Sequence, residues 1–191
     1  AGISSGIGVM RGIIDSAPDI SKIDVTPTGY STTVLAANGE ETATLVGQGA
    51  NRQYVTIDEI PLDLQHAFVA IEDERFYDHN GIDLHGIGRA FISGLSKGRF
   101  SEGASTITQQ LIKNNVLTSW TSETSFVEKL QRKIQEQYLA LELEKQVKDK
   151  DWILENYMNS VNLGANTLGV QAASKKYFNK DVSELTLSEA S

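Results

Sequence analysis

Residues 126–143 carry the strongest helical periodicity in the chain. Val127, Leu130, Ile134, Tyr138 and Leu141 recur at the spacing of one helix face, which predicts a long amphipathic helix with that stripe turned to a core. Shorter elements must then pack along it. The other face carries Lys129, Arg132, Lys133 and Glu136. Three cations beside one carboxylate suit a pyrophosphate, and a divalent ion on Glu136 is compatible, because Arg and Lys match phosphate oxygens and Mg²⁺ takes few protein carboxylates. A solvated charged face accounts for the same pattern.

A second stretch concentrates acid, base and aromatic side chains. The apolar positions 64, 67, 68 and 71 share a helix face, after Asp58, Glu59 and Pro61 at an acidic helix start. That helix ends at or near Glu72, followed by Asp73, Glu74, Phe76, Tyr77, His79 and Gly81. A carboxylate set against Phe76 or Tyr77 at such a turn is a candidate general base. The plain alternative is a solvated helix end, with His79 as a turn or packing residue.

Further on, Leu84 to Leu95 reads as a helix, and a basic loop over residues 96–105 follows it. Arg89, Lys97 and Arg99 alternate there with Phe91, Ile92, Leu95 and Phe100, a pattern that serves either a membrane-surface segment or a mobile loop. Ser105, Gln109 and Lys113 then stand at i, i+4 spacing in a segment dense in hydrogen-bonding side chains, either a ligand-facing helix or a capped helix with a polar outer face. Residues 152–161 predict another helix, ending near Leu163 and Gly164. Glu155 and Asn159 share its face and suit internal braces for neighbouring loops. Before all of these, β-branched runs flank Asn38-Gly39, which predicts a hairpin.

Composition narrows the function classes. The chain has 191 residues, 40% hydrophobic, with a formal net charge of -8. Bulk charge of that sign opposes nucleic acid and anionic membranes, so a phosphate site must be a local basic cluster. With no cysteine, thiolate chemistry and disulfides are excluded. No stretch reaches the roughly 18 apolar residues needed to span a bilayer, and residues 1–30 read as a lead-in that follows an absent membrane anchor.

Taken in order, these segments resemble the peptidoglycan glycosyltransferase domain of bifunctional penicillin-binding proteins and monofunctional wall transglycosylases. Five motifs carry the resemblance: Glu72-Asp73-x-x-Phe76-x-x-His79-x-Gly81, Gly103-x-Ser105-Thr106-Ile107-Thr108-Gln109-Gln110, Arg132-Lys133-x-x-Glu136, Ile153-Leu154-Glu155-x-Tyr157-x-Asn159, and Gly169 through Tyr177-Phe178. It implies a mainly α-helical, lysozyme-like fold of head and jaw over residues 31–191, with the jaw at roughly 93–130 and a small N-terminal β-hairpin. The implied reaction polymerises an undecaprenyl-pyrophosphate-linked disaccharide pentapeptide into glycan strands, with inversion and release of the lipid pyrophosphate.

The resemblance also implies roles. Glu72 is the base, and Glu136 is a second catalytic carboxylate and ligand of a divalent metal, Mg²⁺ or Mn²⁺. Ser105, Thr106, Gln109, Gln110, Lys113, Arg132 and Lys133 bind substrate. Asp73, Phe76, His79, Glu155 and Asn159 support them. The implied partners are the lipid-linked precursor, the growing glycan strand and a membrane lipid surface, with no nucleic acid, at the extracytoplasmic face of a bacterial membrane. The resemblance also implies a transpeptidase domain following in the full-length protein; Ser-x-x-Lys and Lys-Thr-Gly are absent here, so this chain itself carries no transpeptidase chemistry. The sequence departs from the family pattern at Ala104, Asn166 and Leu168, and residues 118–128 hold no Lys or Arg. A wall-cleaving muramidase on the same fold and a non-catalytic precursor-binding module are the alternatives.

Overall fold

A computed structural model describes residues 2–22, 24–27, 32–35, 41–45, 53–97, 105–117, 125–164 and 167–190, with backbone alone over 2–6, 32–35, 41–45 and 91–97. In chain order the helices are α1 (Gly2–Asp15), α2 (Leu62–Glu72), α3 (Leu84–Lys97), α4 (Ile107–Asn115), α5 (Phe126–Val147), α6 (Lys150–Met158), α7 (Val170–Phe178) and α8 (Leu187–Ala190). Strands β1 (Thr32–Leu35) and β2 (Glu41–Leu45) pair antiparallel, Thr32 opposite Leu45. The fold is mainly helical, in line with the lysozyme-like architecture. The Asn38-Gly39 turn, Arg99, Phe100, Ala104, Asn166 and much of the 93–130 jaw segment lie outside the described residues.

The chain divides into two compact units, one of Ala1–Val25 with Val69–Lys150, the other of Thr26–Phe68 with Asp151–Ser191. In the first, α5 is the long element. A capping box between Ser125 and Glu128 starts it, and Lys148 in the left-handed region ends it. Its buried face is Gln135, Glu136, Leu139, Ala140, Leu143 and Glu144, not the Val127–Leu130–Ile134–Tyr138–Leu141 stripe that periodicity predicts. Val127 is 69% and Leu130 50% exposed. Two polar residues displace the apolar stripe because each has partners inside: Gln135 donates to the Ile13 carbonyl of α1, and Glu136 is ion-paired. Leu139, Ala140 and Leu143 are buried, as are Ile107, Leu111 and Ile112 of α4 and Phe76.

The second unit buries Val55, Ile60, Leu64, Ile153, Leu154, Tyr157, Met158, Val170 and Val182. Phe68 meets Tyr157 edge to face at 6.1 Å between ring centroids. Asp58 and Glu59 do not begin α2. They form a separate 3-10 turn, Ile57–Glu59, in which the Glu59 carboxylate accepts the Thr56 N–H and hydroxyl. Pro61 directly precedes α2 and its carbonyl accepts the Leu64 and Gln65 amides. Helix α6 also stops earlier than its sequence suggests, at Met158. There the Asn159 side chain turns to Val55, and the chain reverses into a bridge between Asn162 and Leu168.

Candidate active site

Glu72 is the last residue of α2 and is exposed. Phe76 is fully buried, with Tyr77 and His79 edge-on to its ring and the Lys150 ammonium 4.5 Å from its centroid. The partner of Glu72 is Gln110, whose Nε2 donates to Oε2 at 2.9 Å.

The residues after Glu72 hold the start of α4. Asp73, 6% exposed, receives His79 Nε2 at 2.9 Å on each oxygen, and its Oδ2 accepts the Ile107 amide at 3.0 Å. The Gly81 amide donates to His79 Nδ1 at 3.2 Å. That nitrogen therefore accepts, and Nε2 carries the proton given to Asp73. A carboxylate on the first amide of a helix is favoured by the amides exposed there and by the dipole. The Gly81 carbonyl takes the Thr106 hydroxyl at 2.8 Å and Gln109 Nε2 at 3.4 Å. Thr106 is the N-cap of α4, accepting the Gln109 amide. Gly81 itself has φ +91°, and a Cβ on it would stand 2.7 Å from the Ala140 carbonyl oxygen of α5.

On α5 the basic residues converge on one buried acid. Glu136 is 1% exposed; Arg132 pairs with its Oε1, and Lys133 Nζ lies 3.0 Å from its Oε2. Lys133 also donates to Ser105 Oγ at 2.6 Å. Because the ammonium fills an acceptor position of that hydroxyl, the Ser105 proton is directed elsewhere. Burial of Glu136 as an anion is tolerable because both oxygens meet cations.

These side chains line one cavity of about 280 Å³: Ile71, Glu72, Ser105, Gln109, Gln110, Lys113, Arg132, Lys133 and Glu136. A smaller cavity of about 100 Å³ shares Ile71, Glu72 and Ser105 and adds Asp73, Glu74, Asp83, Arg89 and Thr106 among its walls. Burial by itself would raise the Asp83 carboxyl, but the Gly86 amide and the Arg75 guanidinium bring it below its ordinary value. Among the described residues no three His, Asp or Glu side chains group as a metal cage. Thr106 is engaged as a cap and reaches only the smaller cavity, while Ser105 precedes α4 and is not on its face.

Glu155 and Asn159 belong to the second unit, with the segment they hold. Asn159, 1% exposed, accepts the Val55 amide at 3.0 Å and donates to the Val55 carbonyl at 2.8 Å, as a neighbouring strand would. Glu155 accepts the Ile57 amide at 2.7 Å and the Tyr54 hydroxyl. Ile71 escapes the sequence reading because an apolar residue at a helix end reads as core, yet it is 76% exposed beside Glu72. Nothing in the sequence marks Glu144 and Lys150: the Glu144 carboxylate accepts the Thr108 hydroxyl at 2.5 Å and meets Lys150 at 2.7 Å.

The transglycosylase family model matches residues 38–191. Penicillin-binding protein 1A of Clostridium botulinum (strain Langeland) is 42% identical over 195 residues, covering 99% of this chain and 22% of the relative. Penicillin-binding protein 1F of Bacillus subtilis (strain 168) is 44% identical over 159 residues, 83% of this chain and 21% of the relative. Penicillin-binding protein 1A of Clostridium perfringens (strain 13) is 51% identical over 143 residues, 72% and 20%. The chain thus spans about a fifth of the length of these curated relatives.

Proposed function

This chain belongs to the transglycosylase family, and from that premise we propose that its cavity polymerises a lipid-diphosphate-linked disaccharide pentapeptide, lipid II, into glycan strands. The observation that carries the reading is a carboxylate, Glu72, lining one cavity with three cations, Lys113, Arg132 and Lys133. A sugar 4-hydroxyl is a weak nucleophile until a positioned base takes its proton in the transition state. Glu72 takes that proton as the hydroxyl oxygen bonds to C1 of the donor sugar. The bond from C1 to the diphosphate oxygen breaks on the opposite face, so the configuration inverts. Both electrons of that bond leave with the lipid diphosphate, whose charge the three cations stabilise. The Ser105 hydroxyl, polarised by Lys133, and Gln109 supply neutral donors to the sugar and phosphate oxygens.

Glu136 acts in this scheme as the buried anion that keeps Arg132 and Lys133 side by side against their mutual repulsion. A divalent cation would have to share Glu136 with Arg132 and Lys133, which take one of its oxygens each. Mg²⁺ takes one or two carboxylates and completes its shell with substrate phosphate oxygens, and Glu136 supplies one carboxylate. Glu136 would hold Mg²⁺ or Mn²⁺ together with the substrate, and the ion would add to the neutralisation of the diphosphate.

The setting follows from the substrate. A lipid-linked donor places the reaction at a bacterial membrane surface, on the extracytoplasmic face, and the names of the relatives support a transpeptidase region elsewhere in the full-length protein. Among the described residues no helix is long and apolar enough to cross a membrane.

The test is Glu72→Gln assayed with lipid-linked disaccharide. Loss of polymer by at least about a hundredfold is expected for removal of a general base. Near wild-type polymerisation would overturn the assignment, as would release of soluble fragments from purified peptidoglycan without use of the lipid-linked donor.

A further inference from the structure

The bond between Gln110 and Glu72 has a use beyond ligand contact. A general base must keep its carboxylate within hydrogen-bond reach of the proton it removes. Glu72 is poorly placed to do so alone. It is the terminal residue of α2, it is exposed, and Ile71 beside it is 76% exposed as well. A glutamate side chain free to sample its rotamers loses considerable entropy when held in one. Among the described residues, the hydrogen bond from Gln110 Nε2 at 2.9 Å is the restraint on it.

Gln110 can serve as a restraint because its own helix is registered against the same stretch. Asp73, next to Glu72, accepts the first amide of α4 at Ile107, and Gln110 lies three residues beyond Ile107 on that helix. The end of α2 and the first turn of α4 are thus tied at two adjacent points, backbone to Asp73 and side chain to Glu72. The donor is also neutral. A cation such as Lys113 on the same oxygen would favour the deprotonated form and weaken the base, whereas an amide orients the carboxylate with less cost to its basicity. The bond occupies Oε2 and leaves Oε1 with no hydrogen bond from a described residue.

The geometry points to Gln110 as a positioning residue that fixes the rotamer of Glu72 and reserves Oε1 for the attacking hydroxyl. This rests on Glu72 being the base. The experiment uses the full-length protein with Gln110→Met, an isosteric change that removes the donor, and Glu72→Asp, which draws the carboxylate out of reach of Gln110. In Gln110→Met, kcat should fall about tenfold or more while KM, and the affinity for a lipid-linked diphosphate that lacks the acceptor hydroxyl, stay within about twofold. Placed on Glu72→Asp, Gln110→Met should cost little further, since the bond it removes is already gone.

A loss of affinity that matches the loss of rate would make Gln110 a ligand contact instead. Additive losses in the double variant would likewise overturn the proposal. Failure of the underlying reading is distinguishable. Glu72→Gln that still polymerises removes Glu72 as the base, whereas a dead Glu72→Gln beside an unimpaired Gln110→Met removes the positioning role alone.

Discussion

Lys133 and Glu136 stand one turn apart on α5, and the ammonium of Lys133 spans 3.0 Å to the buried carboxylate and 2.6 Å to the hydroxyl of Ser105. The anion thereby sets where the serine hydroxyl is held, although Glu136 and Ser105 share no bond of their own.

Lys133→Met tests that chain. It leaves Glu136 with Arg132 alone and frees Ser105. Removal of a charge-assisted hydrogen bond costs about 1.5–3 kcal/mol, so binding of a lipid-linked diphosphate should weaken by about tenfold to a hundredfold in calorimetry. Ser105→Ala should weaken it less, because the cation remains.

Gly81→Ala should destabilise the first unit. The residue has φ +91°, and the added Cβ would meet the Ala140 carbonyl oxygen at 2.7 Å. Strain of this kind together with overpacking costs about 2–4 kcal/mol. Thermal unfolding followed by circular dichroism should show a lower Tm, and polymerisation should fall with it because the Gly81 carbonyl holds Thr106 and Gln109.

What was legible in the sequence divides along a physical line. The dense polar run around Ser105–Lys113 and the Arg132–Glu136 face are unusual in composition, and composition suffices to single them out; both reach the cavity. Burial of Glu136 is not legible, because a carboxylate's fate depends on which cations the fold brings to it. The same holds for the rotation of the α5 core face, for the Gln110 bond to Glu72, and for the hold of Asp73 on the Ile107 amide. Each joins residues far apart in sequence, and no local period encodes such a pairing. Helix ends misread for a related reason: Met158 ends α6 where Asn159 has a tertiary use.

His79→Ala should loosen α4 without unfolding the protein. Asp73 would lose the hydrogen-bond donor that His79 Nε2 supplies and hold the Ile107 amide less firmly. Hydrogen exchange at Ile107 should accelerate about tenfold, the equivalent of about 1.4 kcal/mol of local opening, while amides deep in α5 keep their protection.

Acid should loosen the C-terminal part of the second unit. The Lys180 ammonium and the Thr186 amide and hydroxyl hold the Glu189 carboxyl at about 2, below its ordinary 4.5. Lys175 and then Gln171 hold Asp181 below its ordinary range. A depressed folded-state pKa contributes stability that is whole above the unfolded value and is lost as pH falls through the folded one. Order around α8 should therefore decline from about pH 4.5 toward pH 2 in a carboxyl-resolved NMR titration. In Lys180→Met the Glu189 resonance should titrate closer to 4.5.

Asn159 clamps Val55 across 104 residues of chain, and Glu155 clamps Ile57 across 98. A ribosome releases the chain from its N-terminus, so Val55 emerges long before the amide that will pair with it. The unit built from Ala1–Val25 and Val69–Lys150 has all its residues by position 150, whereas the segment around Val55 must wait for the next stretch to be made. The order of synthesis thus places the cavity-bearing unit first, and leaves residues 53–57 dependent on the last part of this chain to arrive.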